Sequence, residues 1–261
     1  MRQLSPNPLR RIVRSLGFGV PLLAAAAALA LPSAAEAKVK SIVLVHGAFA
    51  DGSGWKAVTD ILRRDGYTVY IVQPPETTLA DDVAATRRVL AIAGPAVLVG
   101  HSYGGVVISE AGAQDSVRAL VYVAAFQPDV GESAGALNGK TPAAAKSIRP
   151  VGDNFLWVDP ASFPADFAGD VPKATAELMA MSQVTISTDA FGGTPKVAAW
   201  KTKPSYAVVA TNDRMINPDL ERFMYKRSNS TTIELPGSHA VYISHAAEVA
   251  RLIEKAANAA N

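Results

Sequence analysis

The sequence predicts an α/β fold: a mainly parallel sheet flanked by helices on both faces, with a cap inserted late in the chain. Three observations predict it. Up to residue 126, apolar β-branched runs alternate with segments of helical apolar spacing. The connections are short, the pattern of a parallel sheet built from right-handed crossovers. From residue 127 to 203 the alternation breaks, and afterwards it resumes. Finally, Gly100-His101-Ser102-Tyr103-Gly104 follows the apolar run Ala96-Val97-Leu98-Val99 and precedes small residues that continue as a helix. That is G-x-S-x-G in a strand–turn–helix setting, where it presents a serine at the top of a sheet.

In chain order, residues 1–37 come first. Arg2, Arg10, Arg11 and Arg14 precede an apolar stretch at 20–31, and the segment ends in Ala35-Glu36-Ala37. This is the layout of a secretory signal peptide, cleaved after Ala37, and it predicts a secreted or periplasmic protein. The apolar stretch is short for a membrane span, so no membrane attachment is expected after cleavage. The leader holds four of the 25 basic residues and one of the 23 acidic ones, which leaves a net charge of −1. Such a chain has no basic character with which to attract nucleic acid. The expected mature domain, residues 38–261, is of single-domain length. With 49% hydrophobic residues in the whole sequence it has the means to build a sizeable core.

Ser41-Ile42-Val43-Leu44-Val45 is a continuous apolar run, suited to a strand buried on both faces. A glycine-rich loop follows, and then Trp55, Val58, Ile61 and Leu62 recur at helical spacing up to Gly66. Residues 67–72 read as the second strand. Leu79, Val83 and Leu90 mark the next helix, closed by Gly94-Pro95. Residues 117–126 form another apolar strand. The cap, 127–203, reads as partly helical around 174–181, and its Phe155, Trp157, Phe163, Phe167, Phe191 and Trp200 argue against a disordered linker. Residues 206–210 and 231–235 complete the strands. Helices are expected at 218–226 and at the C-terminus, where Val249, Leu252, Ile253 and Ala256 share a face.

A serine hydroxyl needs a base in hydrogen-bond reach, and the base needs an orienting group. His239 lies in the loop after the last strand, which opens on the same sheet edge as the serine. His245 competes, but it falls at the start of the final helix, with Ser244 as its expected N-cap. For the acid, Asp213 follows the strand that ends at Ala210, while Asp129 follows the strand that ends at Phe126. Either satisfies the order Ser…Asp…His, and Asp213 is favoured because its strand adjoins the histidine strand in sequence. An oxyanion hole requires backbone N–H groups. Tyr103, directly after the serine, and Ala48, in the loop after the first strand, are the expected donors. His46 is expected to brace that loop. Asp81-Asp82 and Arg87-Arg88 are expected on a solvated helix face.

The exclusions are equally plain. There is no cysteine, hence no disulfide or thiolate site, and the four histidines show no metal-ligand spacing. No phosphate loop or dinucleotide fingerprint is present. No metal and no organic cofactor are implied, and the sequence carries no signal for an oligomeric state.

Together, Val43-Leu44-Val45-His46-Gly47-Ala48 with Trp55, the Gly100–Gly105 elbow, Thr211-Asn212-Asp213 with Pro218, and Gly237-Ser238-His239 with Glu248-Val249 resemble the α/β-hydrolase superfamily. Within it the chain is similar to the small group that includes plant hydroxynitrile lyases, plant methylesterases and bacterial secreted esterases. The resemblance implies a six-stranded sheet, with Ser102, Asp213 and His239 as nucleophile, acid and base. It implies Ala48 and Tyr103 as oxyanion donors. The expected function is a serine hydrolase cleaving small-to-medium apolar carboxylic esters through an acyl-enzyme, its partner being a small-molecule ester. A ligand-binding receptor with slow turnover and a hydroxynitrile-type lyase are the alternatives. The lyases of this group carry a lysine where this chain has Ala240 and a threonine where it has Gly47, which favours hydrolysis.

Overall fold

The uninterrupted apolar runs become parallel strands. In the computed structural model, which describes residues 39–260, β1 (Ser41–Val45) leads through α1 (Lys56–Arg64) to β2 (Thr68–Val72). Helix α2 (Leu79–Ala93) then carries the chain back to β3 (Ala96–Ser102). Next come α3 (Gly104–Ala111) and β4 (Val117–Ala125). The cap follows, with α4 (Ala134–Lys140), β5 (Ile148–Val151), β6 (Phe155–Val158), α5 (Phe163–Phe167), α6 (Lys173–Ser182), β7 (Ile186–Ser187) and α7 (Thr188–Phe191). The chain closes with β8 (Ser205–Ala210), α8 (Pro218–Arg227), β9 (Thr231–Leu235), α9 (Val241–Ser244) and α10 (Ala246–Ala259). The expected leader, residues 1–37, lies outside the described residues.

The main sheet has six strands in the order β2-β1-β3-β4-β8-β9, every pair parallel. This is the expected fold. The chain steps one way from β1 to β2 and the other way from β3 onward. Right-handed crossovers therefore put α1 on one face and α2, α3 and α8 on the other. Helix α10 packs beside α1. The reversal leaves a crevice beyond the carboxyl ends of β1 and β3, where open parallel sheets place their ligands. Ser102 ends β3, and Ala48 follows β1.

Local signals account for the helix ends. The Thr78 hydroxyl accepts from Asp81 N–H and opens α2, and Gly94, at φ 69°, closes it. Helix α8 starts on the Asn217 cap with Pro218 in its first turn. It carries Asp219 and Glu221 early and Lys226 and Arg227 late, as the helix dipole favours.

Three expectations need correction. The cap was expected to be partly helical, and α6 fits, but β5, β6 and β7 also form a three-stranded antiparallel sheet. Gly152 and Asn154, both at positive φ, make its hairpin turn. Asp82 is not on a solvated face. It is fully buried, and it accepts from Glu76 N–H at 2.7 Å and from the Tyr103 hydroxyl at 2.7 Å. Ser244 is not the N-cap of the final helix. It ends α9, His245 takes the cap position, and the Ser244 hydroxyl donates instead to Asp170 at 2.7 Å.

A Cβ on Gly105 would overlap the carbonyl oxygen of Phe126 on the neighbouring strand's exit. Backbone cannot yield there as a flexible side chain would. Gly105→Ala is therefore expected to lower the unfolding free energy by about 1–3 kcal/mol or to prevent folding, read by urea denaturation. An unchanged midpoint would show that the α3–β4 contact is looser than this.

Candidate active site

The site is built on a strained turn. Ser102 has φ 52° and is 6% exposed, a left-handed backbone that L residues adopt at a cost. Its neighbours make room. A Cβ on Gly47 would come within 2.6 Å of the Ser102 Cβ and 2.7 Å of His101 O, so the loop after β1 lies directly against the serine. On the other side β4 bulges. Its pairing with β3 runs His101 to Val123 and then Ser102 to Ala125, leaving Ala124 extra at φ 43°. The bulge lets Phe126 N–H donate to Ser102 O at 3.1 Å. The Tyr225 hydroxyl of α8 holds it by accepting from Ala125 N–H and donating to Ala125 O, both at 2.8 Å.

Three predicted residues come together here. The Ser102 hydroxyl donates to His239 Nε2 at 2.8 Å, and His239 Nδ1–H donates to Asp213 Oδ2 at 2.6 Å. The histidine and the aspartate are 1% and 5% exposed. Asp213 Oδ1 accepts from Met215 and Ile216 N–H at 2.7 and 2.9 Å, so the turn after β8 satisfies the carboxylate and fixes its direction. The rivals lie elsewhere. Asp129 pairs with Lys201 at 2.6 Å, and His245 faces Glu248 at 4.0 Å. Among the described residues, neither Ala48 N–H nor Tyr103 N–H donates a hydrogen bond within the protein. Ala48 lines the cavity beside Ser102.

Further residues that sequence reasoning did not single out support the constellation. Asp170, in the cap, accepts from Ser238 N–H at 3.1 Å and from the Ser238 and Ser244 hydroxyls, which flank His239. Phe167 stands edge-on to the His239 ring at 4.7 Å, and its carbonyl accepts from Ala240 N–H at 3.0 Å. His101 Nε2–H donates to His239 O at 2.9 Å. Burial holds the His101 imidazole well below its ordinary pKa, so it is a neutral brace. Behind Asp213, Glu221 accepts from Ala210 N–H at 3.1 Å. Burial first, and then the charge of Asp213, push its carboxyl well up.

His46 braces the loop as expected, touching Gly47 O and Gln73 Oε1 at 3.1 and 3.0 Å. Burial lowers its pKa. Glu76 lies 3.6 Å from its Nδ1, at φ 57° and fully buried, with neither carboxyl oxygen hydrogen-bonded. Burial, then the nearby Asp82, raise the Glu76 pKa well above the ordinary value.

The free volume beside Ser102 is about 20 Å³. Phe49, Phe126, Ile148, Phe191, Met215 and Ile216 give it apolar walls. Of the large apolar cap residues noted in the sequence, Phe191 is the one that lines it. Phe163 and Phe167 are core residues, and Trp200 donates to Pro128 O at 2.8 Å. The apolar character arises instead from loops at the sheet edge and from Ile148.

Residues 42–252 match the model of the alpha/beta hydrolase family. A pyrethroid hydrolase of Sphingobium wenxiniae is 28% identical over 255 residues, covering 85% of this chain and 89% of that protein. The crystal structure of a pyrethroid hydrolase from Sphingobium faniae JZ-2 superposes with a TM-score of 0.71 at 26% identity, over 84% of this chain and 98% of that one. A polyneuridine aldehyde esterase shares the fold, with a TM-score of 0.72 at 19% identity over 83% and 98%.

The buried acids predict a pH dependence. A carboxyl whose pKa is raised on folding binds its proton more tightly in the native state. Stability is then fully present below the unfolded value, near 4.5 for Glu76, and falls as pH rises from there toward the folded value. One such proton contributes up to about 1.4 kcal/mol per pH unit. Glu76→Gln is expected to flatten the decline between pH 5 and 8, measured by urea denaturation across that range. An identical slope in both proteins would mean that Glu76 is ionised in the fold.

Proposed function

The chain belongs to the alpha/beta hydrolase family, and from that premise we propose that it is a serine esterase acting on small-to-medium, largely apolar carboxylic esters. The observation that carries the reading is the hydrogen-bonded series Ser102–His239–Asp213, opening on an apolar cavity. Ser102 Oγ attacks the ester carbonyl while His239 Nε2 takes its proton. Asp213 keeps the imidazole in the Nδ1–H tautomer and stabilises the imidazolium. The N–H groups of Ala48 and Tyr103 receive the oxyanion. His239 then protonates the leaving alcohol. Water, activated by the same histidine, releases the acid from Ser102.

Two further features bear on the proposal. The free volume of about 20 Å³ holds little more than one water, whereas ligand sites usually offer about 300–1,000 Å³. Substrate admission therefore requires side chains of the lining to swing aside. The basic start, apolar stretch and Ala35-Glu36-Ala37 of the leader support export, so the ester would be met in the periplasm or outside the cell.

Lyase chemistry fits poorly. A side chain at Gly47 would collide with Ser102, and the buried Ala240 puts no positive charge beside His239. Purified residues 38–261 supplied separately with 4-nitrophenyl acetate and mandelonitrile are expected to release nitrophenol and no appreciable cyanide. Ser102→Ala should lose both the nitrophenol release and labelling by a fluorophosphonate probe. Ser102-dependent cyanide release without nitrophenol would overturn the esterase reading. Asp213→Asn is expected to lower kcat by at least ~100-fold, because it allows the wrong histidine tautomer. Greater damage from Asp129→Asn in the same assay would reassign the acid.

A further inference from the structure

The cavity beside Ser102 is apolar on nearly every side, and its exception bears on the substrate. Among the described residues that line it, Ser102, His239 and Asn138 carry polar side chains. Ser102 and His239 are hydrogen-bonded to each other. Asn138 is different. Its Oδ1 is shielded from solvent and has no hydrogen-bond partner, although buried polar groups are almost always paired. The residue is half-buried and its backbone is held in place. It sits in the last turn of α4, a helix capped by the Ser133 hydroxyl on Ala136 N–H and anchored by the buried Ala134 and Leu137. An amide kept unpaired beside a nucleophile is suited to a partner that arrives with the ligand.

We infer that Asn138 is a specificity-determining residue that hydrogen-bonds a hydroxyl on an otherwise apolar ester. This rests on the esterase reading and narrows its substrate class. A hydroxyl fits because it both donates and accepts, and an amide offers an acceptor and two donors. A charged group does not fit. No Lys, Arg, Asp or Glu is among the described residues that line the cavity, so an ion there would be desolvated without a counter-charge. The apolar walls receive the remainder of the ester, and the single amide sets its register relative to Ser102.

The test uses isosteric pairs in which a hydroxyl replaces a methyl. Ethyl 3-hydroxybutanoate is compared with ethyl 3-methylbutanoate for the acyl side, and 2-hydroxyethyl butanoate with propyl butanoate for the alcohol side. Each kcat/KM is divided by that ester's alkaline hydrolysis rate constant, which removes the inductive effect of the hydroxyl. The wild-type protein is expected to favour the hydroxylated member of at least one pair by about tenfold, the scale of one hydrogen bond in an apolar site. In Asn138→Leu that ratio should fall to within about twofold of unity. Asn138→Ala, which adds no bulk, replaces it if near-UV circular dichroism shows a folding defect. Preference for the apolar member of both pairs by the wild type, or retention of the hydroxyl preference by the variants, overturns the inference and leaves the esterase reading intact. Absence of any Ser102-dependent hydrolysis overturns both.

Discussion

At φ 52°, Ser102 occupies a conformation that costs an L residue about 1–3 kcal/mol, and the rest of the site depends on the crowding that holds it there. At Gly47, Gly104 and Gly105 there is no room for a Cβ, which would meet the Ser102 Cβ, the His46 carbonyl and the Phe126 carbonyl in turn, so backbone packs closely around the turn. The bulge at Ala124 brings the exit of β4 into register with the turn, and Tyr225 of α8 clamps it. No one of these contacts would hold the serine alone. Acting together they make the strained turn the best available arrangement of four neighbouring segments, and a rigid sheet edge keeps those segments from relaxing.

The sheet was legible in the sequence because strands buried on both faces must be apolar at successive positions, as in β1, β3 and β4. The serine, the histidine and the favoured aspartate were legible as positions because each follows a strand at the same sheet edge, β3 and β8 being buried throughout and β9 the half-exposed outer strand. The structure brings their side chains within hydrogen-bond distance. The cap was less legible. The hairpin of β5 and β6 had its turn residues, Gly152 and Asn154, but its strands are short and half-buried, and their partner β7 is two residues long. Asp82 was misread because a carboxylate four residues beyond a helix cap ordinarily faces water. Its burial follows from the Tyr103 hydroxyl, which reaches it from the elbow across a distance in sequence that no local pattern encodes. Asn138 and Asp170 gave no signal, since single polar residues in an irregular segment acquire meaning from what tertiary packing sets beside them.

Buried acids lie near the constellation, and their surroundings differ from those of Asp213. Asp213 is satisfied by two backbone N–H groups and the imidazole, the surroundings a carboxylate needs. Glu221 beside it has one backbone donor, Ala210 N–H, and Glu76 below the loop after β1 has none, and burial raises both. Two adjacent carboxyls in a dry site cannot both ionise at low cost. Burial and the neighbouring Asp213 both push the Glu221 carboxyl upward, which disfavours a second charge at this place.

The cap meets His239 as well as the cavity. Asp170 ties down Ser238 and Ser244, and Phe167 contributes both a ring edge to His239 and a carbonyl to Ala240. The cap residues that line the cavity lie on both sides of that segment in the chain, Asn138 and Ile148 before it and Phe191 after it. Functions diversify by changing sites on a retained fold, and here those three positions are where the cap can alter the cavity wall. The stretch from α5 to Asp170 is bound to co-vary with residues 238–245. A lineage that exchanged the whole insertion would inherit a new cavity wall together with a misaligned histidine, whereas one that altered only the three wall positions would reshape the cavity and leave the histidine in place.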